Sequence, residues 1–473
     1  MFQSKMTALL IAAAAFALLH NIWALLNVLW SVRFIRRRID NTYDHTPSTK
    51  FLILLPMFDE QAVARAAIDH FRSLSYPAEF LTLAIITTAR ERAADHMPTT
   101  ADCVRAHIKR IGDIGPRTLH IHVQSGDSGK AAQLNSALAI LRNQHDPFIH
   151  PESIIGVYDA DSRPDRRVLQ EVDAESTRRP DILAFQQGAS YFTNFDNLPT
   201  GLRGVCLRAR PFYNLRFCFF RELPGFARSV KASKSGLIAR CLLSGPNHFL
   251  GHGEFIRLRT LDTFGGFPSP SVDTSLGNML SFAGYAIAPL RTMDQAETPP
   301  SLRALYLQGI VWYSDCASYW QDLKRVLPPG VCPNPVQIII ALRRWLDNMI
   351  WCLGPIALLT SMVLAFVLHV TTALAIGIAA CFLHGTTIIC LVYSLESSGS
   401  NSQASGVPSR LRQNPFDLAL ILAGYPVMLL GTCLSPISYY FLLLREKLLG
   451  KAVPRAKTPR GGKPKRASMI PVR

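Results

Sequence analysis

Apolar and polar positions alternate along this chain on two different length scales. Residues 7–30 are almost uncharged and long enough to cross a bilayer as a helix. Three more runs of that kind lie at 347–369, 372–395 and 416–444. Between the first and second, the runs shorten to strand length. Those at 51–56, 81–86, 154–158 and 182–187, with a weaker one at 119–123, read as strands buried on both faces. Helical spacing fills 61–74 and 131–142. Strands alternating with helices predict a mainly parallel sheet covered on both faces. Ligands of such sheets gather at the carboxyl ends of the strands. Pro56, Asp59, Lys130, Asp159 and Asp161 all fall at such ends or in the adjoining loops.

The expected organisation follows. An N-terminal transmembrane anchor covers 1–31 and a basic linker 32–50. The α/β domain covers 51–320, and an interfacial helix 334–346. About three spans occupy 347–444, and a basic tail 445–473. The last apolar run contains Gly424, Pro426, Gly431 and Pro436, so a broken or re-entrant segment is one reading of it.

Composition supports a membrane protein. Of the 473 residues 49% are apolar and only 18% charged, against about a quarter charged in soluble chains. The net charge of +17 sits partly at membrane edges. Arg33, Arg36, Arg37 and Arg38 follow the first apolar run, and the tail from Lys451 to Arg473 is basic without an acid. The arginines place the α/β domain in the cytosol and the N-terminus outside. One lysine before the run and an arginine cluster after it suit an uncleaved anchor better than a signal peptide. Charge places the tail inside, whereas one span before the domain and three after it place it outside, and both readings stand. The ten cysteines form no Cys-x-x-Cys pair and read as reduced, buried and structural. Residues 195–245 interleave arginines with aromatics, as in an amphipathic face lying on a membrane. A nucleic-acid surface is the rival.

The chemistry concentrates at Ile154-Ile155-Gly156-Val157-Tyr158-Asp159-Ala160-Asp161-Ser162. Strand alternation puts Asp159 and Asp161 on one side. Two like charges there call for a cation, and a divalent ion shared with a diphosphate supplies one. The same four residues, Asp-Ala-Asp-Ser, also make a good turn. Downstream come Gly251-His252-Gly253-Glu254-Phe255-Ile256-Arg257, then Gly265-Gly266-Phe267, Ser271-Val272-Asp273-Thr274-Ser275-Leu276-Gly277 and Gln308-Gly309-Ile310-Val311-Trp312.

With these motifs in this order, residues 50–320 resemble the membrane-embedded family 2 glycosyltransferases. These are inverting enzymes of GT-A fold such as cellulose, chitin-oligosaccharide and hyaluronan synthases. The family's Pro-x-x-Asn-Glu is similar to Pro56-Met57-Phe58-Asp59-Glu60, with Asp for Asn. Its Gly-Lys-x-x-x-Leu-Asn matches Gly129-Lys130-Ala131-Ala132-Gln133-Leu134-Asn135, and its Asp-x-Asp matches Asp159 and Asp161. The resemblance implies Asp161 as metal ligand. It implies Pro56, Asp59, Glu60, Lys130 and Asp159 as nucleotide-sugar contacts. Asp273, in place of the Asp of Thr-Glu-Asp, is implied as the general base, although it also reads as a helix N-cap. Gly253, Gln308 and Trp312 are implied on the acceptor side, where Trp312 otherwise reads as an interfacial anchor.

Two positions depart from the family. Val311 replaces the Arg of Gln-x-x-Arg-Trp, which puts long-chain processivity in doubt. After the second strand, Thr87 and Thr88 stand where the family has an Asp that binds uracil, and Glu91 or Asp95 is the candidate substitute. Lys457-Thr458-Pro459-Arg460 resembles an ending that similar enzymes carry beside the membrane.

The expectation is therefore an inverting hexosyltransferase at the cell inner membrane with a cytosolic catalytic domain. It uses Mg²⁺ or Mn²⁺ and a nucleoside-diphosphate sugar, UDP-glucose or UDP-N-acetylglucosamine. The acceptor is a saccharide or lipid-linked acceptor, for cell-surface polysaccharide or glycolipid synthesis. Membrane lipids and polysaccharide export proteins are expected partners, and nucleic acid is not. The alternative is a catalytically inactive relative serving as membrane scaffold of a polysaccharide-synthesis complex.

Overall fold

A computed structural model describes residues 2–37, 46–91, 98–124, 129–395, 407–408 and 410–449, with 455–456 and 469–470. Asp95, the loop 125–128, most of the 396–414 loop and the 457–460 motif lie outside the described residues.

Seven strands make one sheet: β1 (Phe51–Pro56), β2 (Leu81–Thr88), β3 (Arg117–Val123), β4 (Ile154–Val157), β5 (Ala184–Ser190), β6 (Glu254–Arg257) and β7 (Ile287–Gln295). Their order is β3-β2-β1-β4-β6-β5-β7. β1 pairs parallel with β2 and β4, β2 with β3, and β5 with β7. β6 alone runs antiparallel, between β4 and β5. The sheet is mainly parallel, as the sequence predicts. β6 and β7 were not legible. The first is four residues behind a glycine loop, and the second is interrupted by Pro289 and Arg291.

The helices are α1 (Phe2–Arg36), α2 (Ala64–Arg72), α3 (Thr100–Ile111), α4 (Lys130–Asn143), α5 (Val168–Arg178), α6 (Gly201–Phe217), α7 (Leu223–Ser233) and α8 (Leu237–Leu243). They continue with α9 (Leu258–Thr263), α10 (Asp273–Ala283), α11 (Leu302–Ala317), α12 (Tyr319–Val326), α13 (Pro335–Val367), α14 (Thr371–Ser394), α15 (Arg410–Gln413) and α16 (Pro415–Leu449). Apolar side chains of α2 and α5, such as Phe71 and Val172, cover one face of the sheet. Those of α4 and α10, such as Leu134, Leu138, Leu276 and Leu280, cover the other. Both faces are dry, which is why β1, β2 and β4 read as unbroken apolar runs.

Four helices are long and apolar enough to cross a membrane: α1, α13, α14 and α16. Two expectations about them are corrected. The interfacial helix and the following span are one helix, α13. Asn334 and Gln337 cap its start reciprocally, Pro335 occupies its first turn, and no break occurs at 346–347. The last run is likewise one helix, α16, continuous through Pro426 and Pro436. Packing against neighbouring helices makes such prolines tolerable at membrane depth.

The arginine-rich stretch does not lie on a lipid surface as one exposed face. Arg210 and Arg216 on α6 are buried. Arg216 donates to Thr387 Oγ1 at 2.9 Å and to Asn21 Oδ1 at 3.0 Å. Arg221 pairs with Asp347, and Arg228 donates to Asn27 Oδ1 at 3.1 Å. These guanidiniums tie α6, α7 and the π-helical turn Cys218–Glu222 to α1, α13 and α14. Charges spent on interhelical acceptors are withdrawn from any nucleic-acid surface. Among the described residues of this stretch, large apolar side chains are exposed on α8, at Leu237, Ile238 and Leu242.

All ten cysteines are unpaired, but only Cys218, Cys352 and Cys433 are buried; Cys332 and Cys381 are exposed. The uniformly buried set expected from sequence is not found, because Cys381 lies on the outer face of α14 and Cys332 in the loop before α13.

Candidate active site

The site is built where β1, β4 and α4 meet the loop before β6. β4 stops at Val157, so Asp159 and Asp161 do not sit on a strand. They sit in a turn closed by the Ser162 amide donating to the Asp159 carbonyl at 3.1 Å. Strand alternation therefore does not set their direction; the turn does. The Asp159 side chain is about a third exposed, whereas Asp161 is buried.

Lys130 is the first residue of α4, behind Gly129 at φ 120°. Its ammonium donates to Asp159 Oδ1 at 2.9 Å and also to the Gly251 carbonyl. One lysine thus joins the end of β4 to the loop 250–253. Burial works against its charge, but Asp159, Glu254 and Asp273 outweigh that and raise its pKa, so it is a cation at neutral pH. Gln186 on β5 fixes the loop, donating to the His252 and Gly253 carbonyls and accepting from the Leu250 amide. Gly251 has φ 87°, and a Cβ there would lie 2.5 Å from Asp273 Oδ2. The missing side chain is what lets Asp273 reach the loop.

Asp273 opens α10 as its first helical residue, with Val272 at the cap position. Its Oδ1 accepts from Ser271 Oγ and from the Thr274 amide, both at 2.8 Å. The carboxylate is held by these bonds with Oδ2 directed at Gly251. Gly253, at φ 65°, abuts the Gln187 side chain.

Two neighbours were not singled out from sequence. Glu254, the first residue of β6, is 2% exposed, and neither carboxylate oxygen has a hydrogen-bond partner among the described residues. Burial pushes its pKa up to about 8; the Lys130 charge opposes this, and Asp273 and Asp159 add to it. Its one sequence signal is a carboxylate at the head of the apolar pair Phe255-Ile256. His252 bonds through Nδ1 to Asp294 Oδ2 at 2.6 Å and through Nε2 to the Tyr191 hydroxyl at 3.1 Å. Burial disfavours its charge, but the Asp294 bond and charge prevail and raise its pKa.

Glu254 gives a pH prediction. A carboxyl with pKa about 8 when folded holds a proton that the unfolded chain, near 4.5, has released. Stability from this group therefore falls as pH rises from about 4.5 through 8. Glu254→Gln cannot titrate, so its melting midpoint gains on the wild type between pH 5 and pH 9. Parallel curves in a melting series across that range would show that Glu254 is ionised throughout.

On the β1–β2 side, Pro56 ends β1, Asp59 is exposed at φ 54°, and Glu60 is buried with its amide bonded to Thr100 Oγ1 at 2.9 Å. Glu91, the candidate nucleobase ligand, is held within the protein. Its carboxylate already accepts from the Thr100 amide at 2.7 Å, Gln61 Nε2 at 2.6 Å and the Asp59 amide at 3.3 Å. It orders the loop after β1. Thr87 is engaged too, with the rings of His120 and His122 at 2.8 and 2.9 Å.

Asn135 shows why the glycines at 265 and 266 matter. It donates to the Phe267 carbonyl and accepts from the Phe267 amide, both at 2.8 Å, and a Cβ on Gly266 would lie 2.6 Å from its Oδ1. Gln308 and Trp312 stand one turn apart on α11, on one face. Trp312 lies against the Arg210 guanidinium, and Gly309 packs on Ser435 of α16. The structure thus brings Lys130, Asp159, Gly251, Glu254 and Asp273 together, and places Gln308 and Trp312 on α11, which packs on α16 through Gly309 and Ser435.

Among the described residues, no three or more His, Cys, Asp or Glu side chains converge as a protein-only metal cage. Magnesium-type sites need none: one or two carboxylates plus phosphate oxygens suffice. The Asp159/Asp161 turn beside a lysine fits that donor set.

No family model matches the chain, and neither does any curated protein. Among solved structures it is similar to a mannosyltransferase from Pyrobaculum calidifontis in complex with GDP-Man and Mn²⁺. That match has 18% identity over 90% of this chain and 99% of the other, with a TM-score of 0.47. It is also similar to S. aureus TarS 1–349 in complex with UDP-GlcNAc, at 12% identity over 86% and 94% of the chains and a TM-score of 0.37. Glucosyl-3-phosphoglycerate synthase from Mycobacterium tuberculosis matches at 16% identity over 61% and 87%, with a TM-score of 0.34. With TM-scores below 0.5, none of the three decides what this chain does.

Proposed function

We propose that the chain is a membrane-anchored inverting glycosyltransferase. It takes a hexose from a nucleoside-diphosphate sugar, UDP-glucose or UDP-N-acetylglucosamine, and transfers it to a saccharide or lipid-linked acceptor. The observation that carries the reading is the single lysine bridging Asp159 to the Gly251 loop, with Asp273 aimed at that loop. A cation at a helix start, an acidic turn and a fixed carboxylate are then neighbours at the strand ends.

Asp161 and Asp159 would hold a divalent ion, Mg²⁺ or Mn²⁺, which when bound neutralises charge on the departing diphosphate. Lys130 sits at a helix start, where free amides add to its attraction for phosphate. Asp59 and Glu60, beside the end of β1, would meet the nucleoside. Asp273 would take the proton of the acceptor hydroxyl as that oxygen attacks the anomeric carbon opposite the leaving group. Glu254, if protonated near neutral pH, offers a hydrogen-bond donor to a sugar or phosphate oxygen rather than a second negative charge. Trp312 would stack on an acceptor sugar, with Gln308 beside it. The catalytic domain would face the cytosol of the inner membrane.

Native membranes incubated with a panel of radiolabelled sugar nucleotides and Mn²⁺ should yield labelled saccharide or glycolipid, and Asp161→Asn membranes should not. Equal products from both, or from neither, would leave the scaffold reading in place.

A further inference from the structure

Arg210 has a different environment from every other buried arginine in the described structure. Arg210, Arg216 and Arg344 are each 5% exposed or less. Arg216 has Asn21 and Thr387 as acceptors, and Arg344 has Asn278 Oδ1 at 2.7 Å. Arg210 makes no hydrogen bond or ion pair among the described residues, and its Nε is buried without an acceptor. Its guanidinium carbon lies 4.8 Å from the Tyr213 ring centre and 5.4 Å from that of Trp312. The ionisable groups around it are the phenols of Tyr213, Tyr191 and Tyr425, with no carboxylate among them.

A buried cation without a counter-charge is unfavourable, and two aromatic faces offset only part of that cost. The remaining deficit is removed when an anion arrives. Tyr191 connects the position to the transfer site through His252, and Tyr425, whose hydroxyl is also buried without a partner among the described residues, connects it to α16. Position 311, one residue from Trp312 on α11, carries no charge, so the cation beside that tryptophan comes from α6.

We infer that Arg210 is the anion receptor of a phosphate subsite, between the transfer site and the membrane helices. The planar fork of the guanidinium suits phosphate oxygens, and stacking on Tyr213 and Trp312 holds it flat. The phosphate has two possible sources, the diphosphate of the nucleotide sugar or the phosphate of a lipid-linked acceptor. The names donor and acceptor rest on the transferase reading, and the anion site itself rests on the surroundings of Arg210.

The test uses the full chain in phosphatidylcholine nanodiscs, as wild type, Arg210→Met, Arg210→Lys and Asp161→Asn. Melting midpoints are read against UDP and GDP with Mn²⁺, and separately against a long-chain prenyl phosphate in the disc. The wild type is expected to be stabilised by at least one phosphate, with affinity for that probe falling tenfold or more in Arg210→Met and less in Arg210→Lys. Empty Arg210→Met is expected to melt no lower than the wild type, since it loses an uncompensated charge. Loss confined to nucleotide assigns the donor diphosphate, and loss confined to the prenyl phosphate assigns the acceptor. Unchanged affinity for both probes in Arg210→Met, or no stabilisation of the wild type by either, overturns the subsite. If Asp161→Asn loses nucleotide while Arg210→Met keeps both probes, only the subsite falls. If Asp161→Asn keeps full nucleotide and Mn²⁺ affinity, the transferase site falls, and the prenyl phosphate arm still decides Arg210.

Discussion

Asp273→Asn removes sugar transfer while leaving the protein folded. The expected loss is about 10²–10⁴-fold in turnover, the usual contribution of a positioned general base. Asparagine keeps the oxygen that accepts from Ser271 Oγ and the Thr274 amide, so the first turn of α10 survives. It also fits beneath Gly251, being nearly isosteric. Only the capacity to take a proton disappears. The measurement is transfer from the active sugar nucleotide, with nucleotide affinity and melting midpoint as controls. Both controls should match the wild type. Undiminished turnover in this variant would remove Asp273 from the chemistry and leave it as a helix-start residue.

Lys130→Met acts earlier, on donor binding and on the empty site. Asp159, Glu254 and Asp273 surround this ammonium, and all three raise its pKa. Without it, Asp159 and Asp273 lose the cation they share beside Glu254, and the Gly251 carbonyl loses a donor. The lysine and Asp159 side chains are 28% and 31% exposed, so water screens part of the effect. A destabilisation of about 1–3 kcal/mol is expected, below that of a fully buried pair. Donor affinity should fall about 10–100-fold, the worth of a hydrogen bond to a charged group. Calorimetric titration with the nucleoside diphosphate and Mn²⁺ reads the second effect, and denaturant melts read the first. Wild-type affinity in Lys130→Met would mean that the ammonium only staples the loop to Asp159.

The site was partly legible because its acids and its lysine terminate elements that local pattern reveals. Lys130 follows a glycine at the start of an amphipathic helix, and Asp159 follows an apolar strand. Asp273 precedes a helical run, and its contact with the loop needs a glycine that the sequence also displays. Glu254 escaped because nothing local marks β6 as a central antiparallel strand; its burial comes from insertion between β4 and β5. The His252–Asp294 pair escaped for a related reason, since its partners are 42 residues apart and meet only across the sheet. Glu91 shows the same limit from the other side. Its charge was visible, but the three donors that occupy it were not.

By itself the sequence determined the parts whose physics is local. These are four apolar stretches long enough for a bilayer, the buried strands, the helix starts and the residue types at the strand ends. Each depends on neighbours within a turn or two of the chain, so periodicity and capping suffice to read it. Tertiary structure alone decided which charges are paired. It buried Arg210 and Arg216 of α6, gave Arg216 its acceptors and left Arg210 with two rings and, among the described residues, no counter-ion. It also turned Asp159 and Asp161 on a bend instead of a strand. Burial and electrostatics are sums over everything nearby in space, and most of what lies near these groups is far away along the chain.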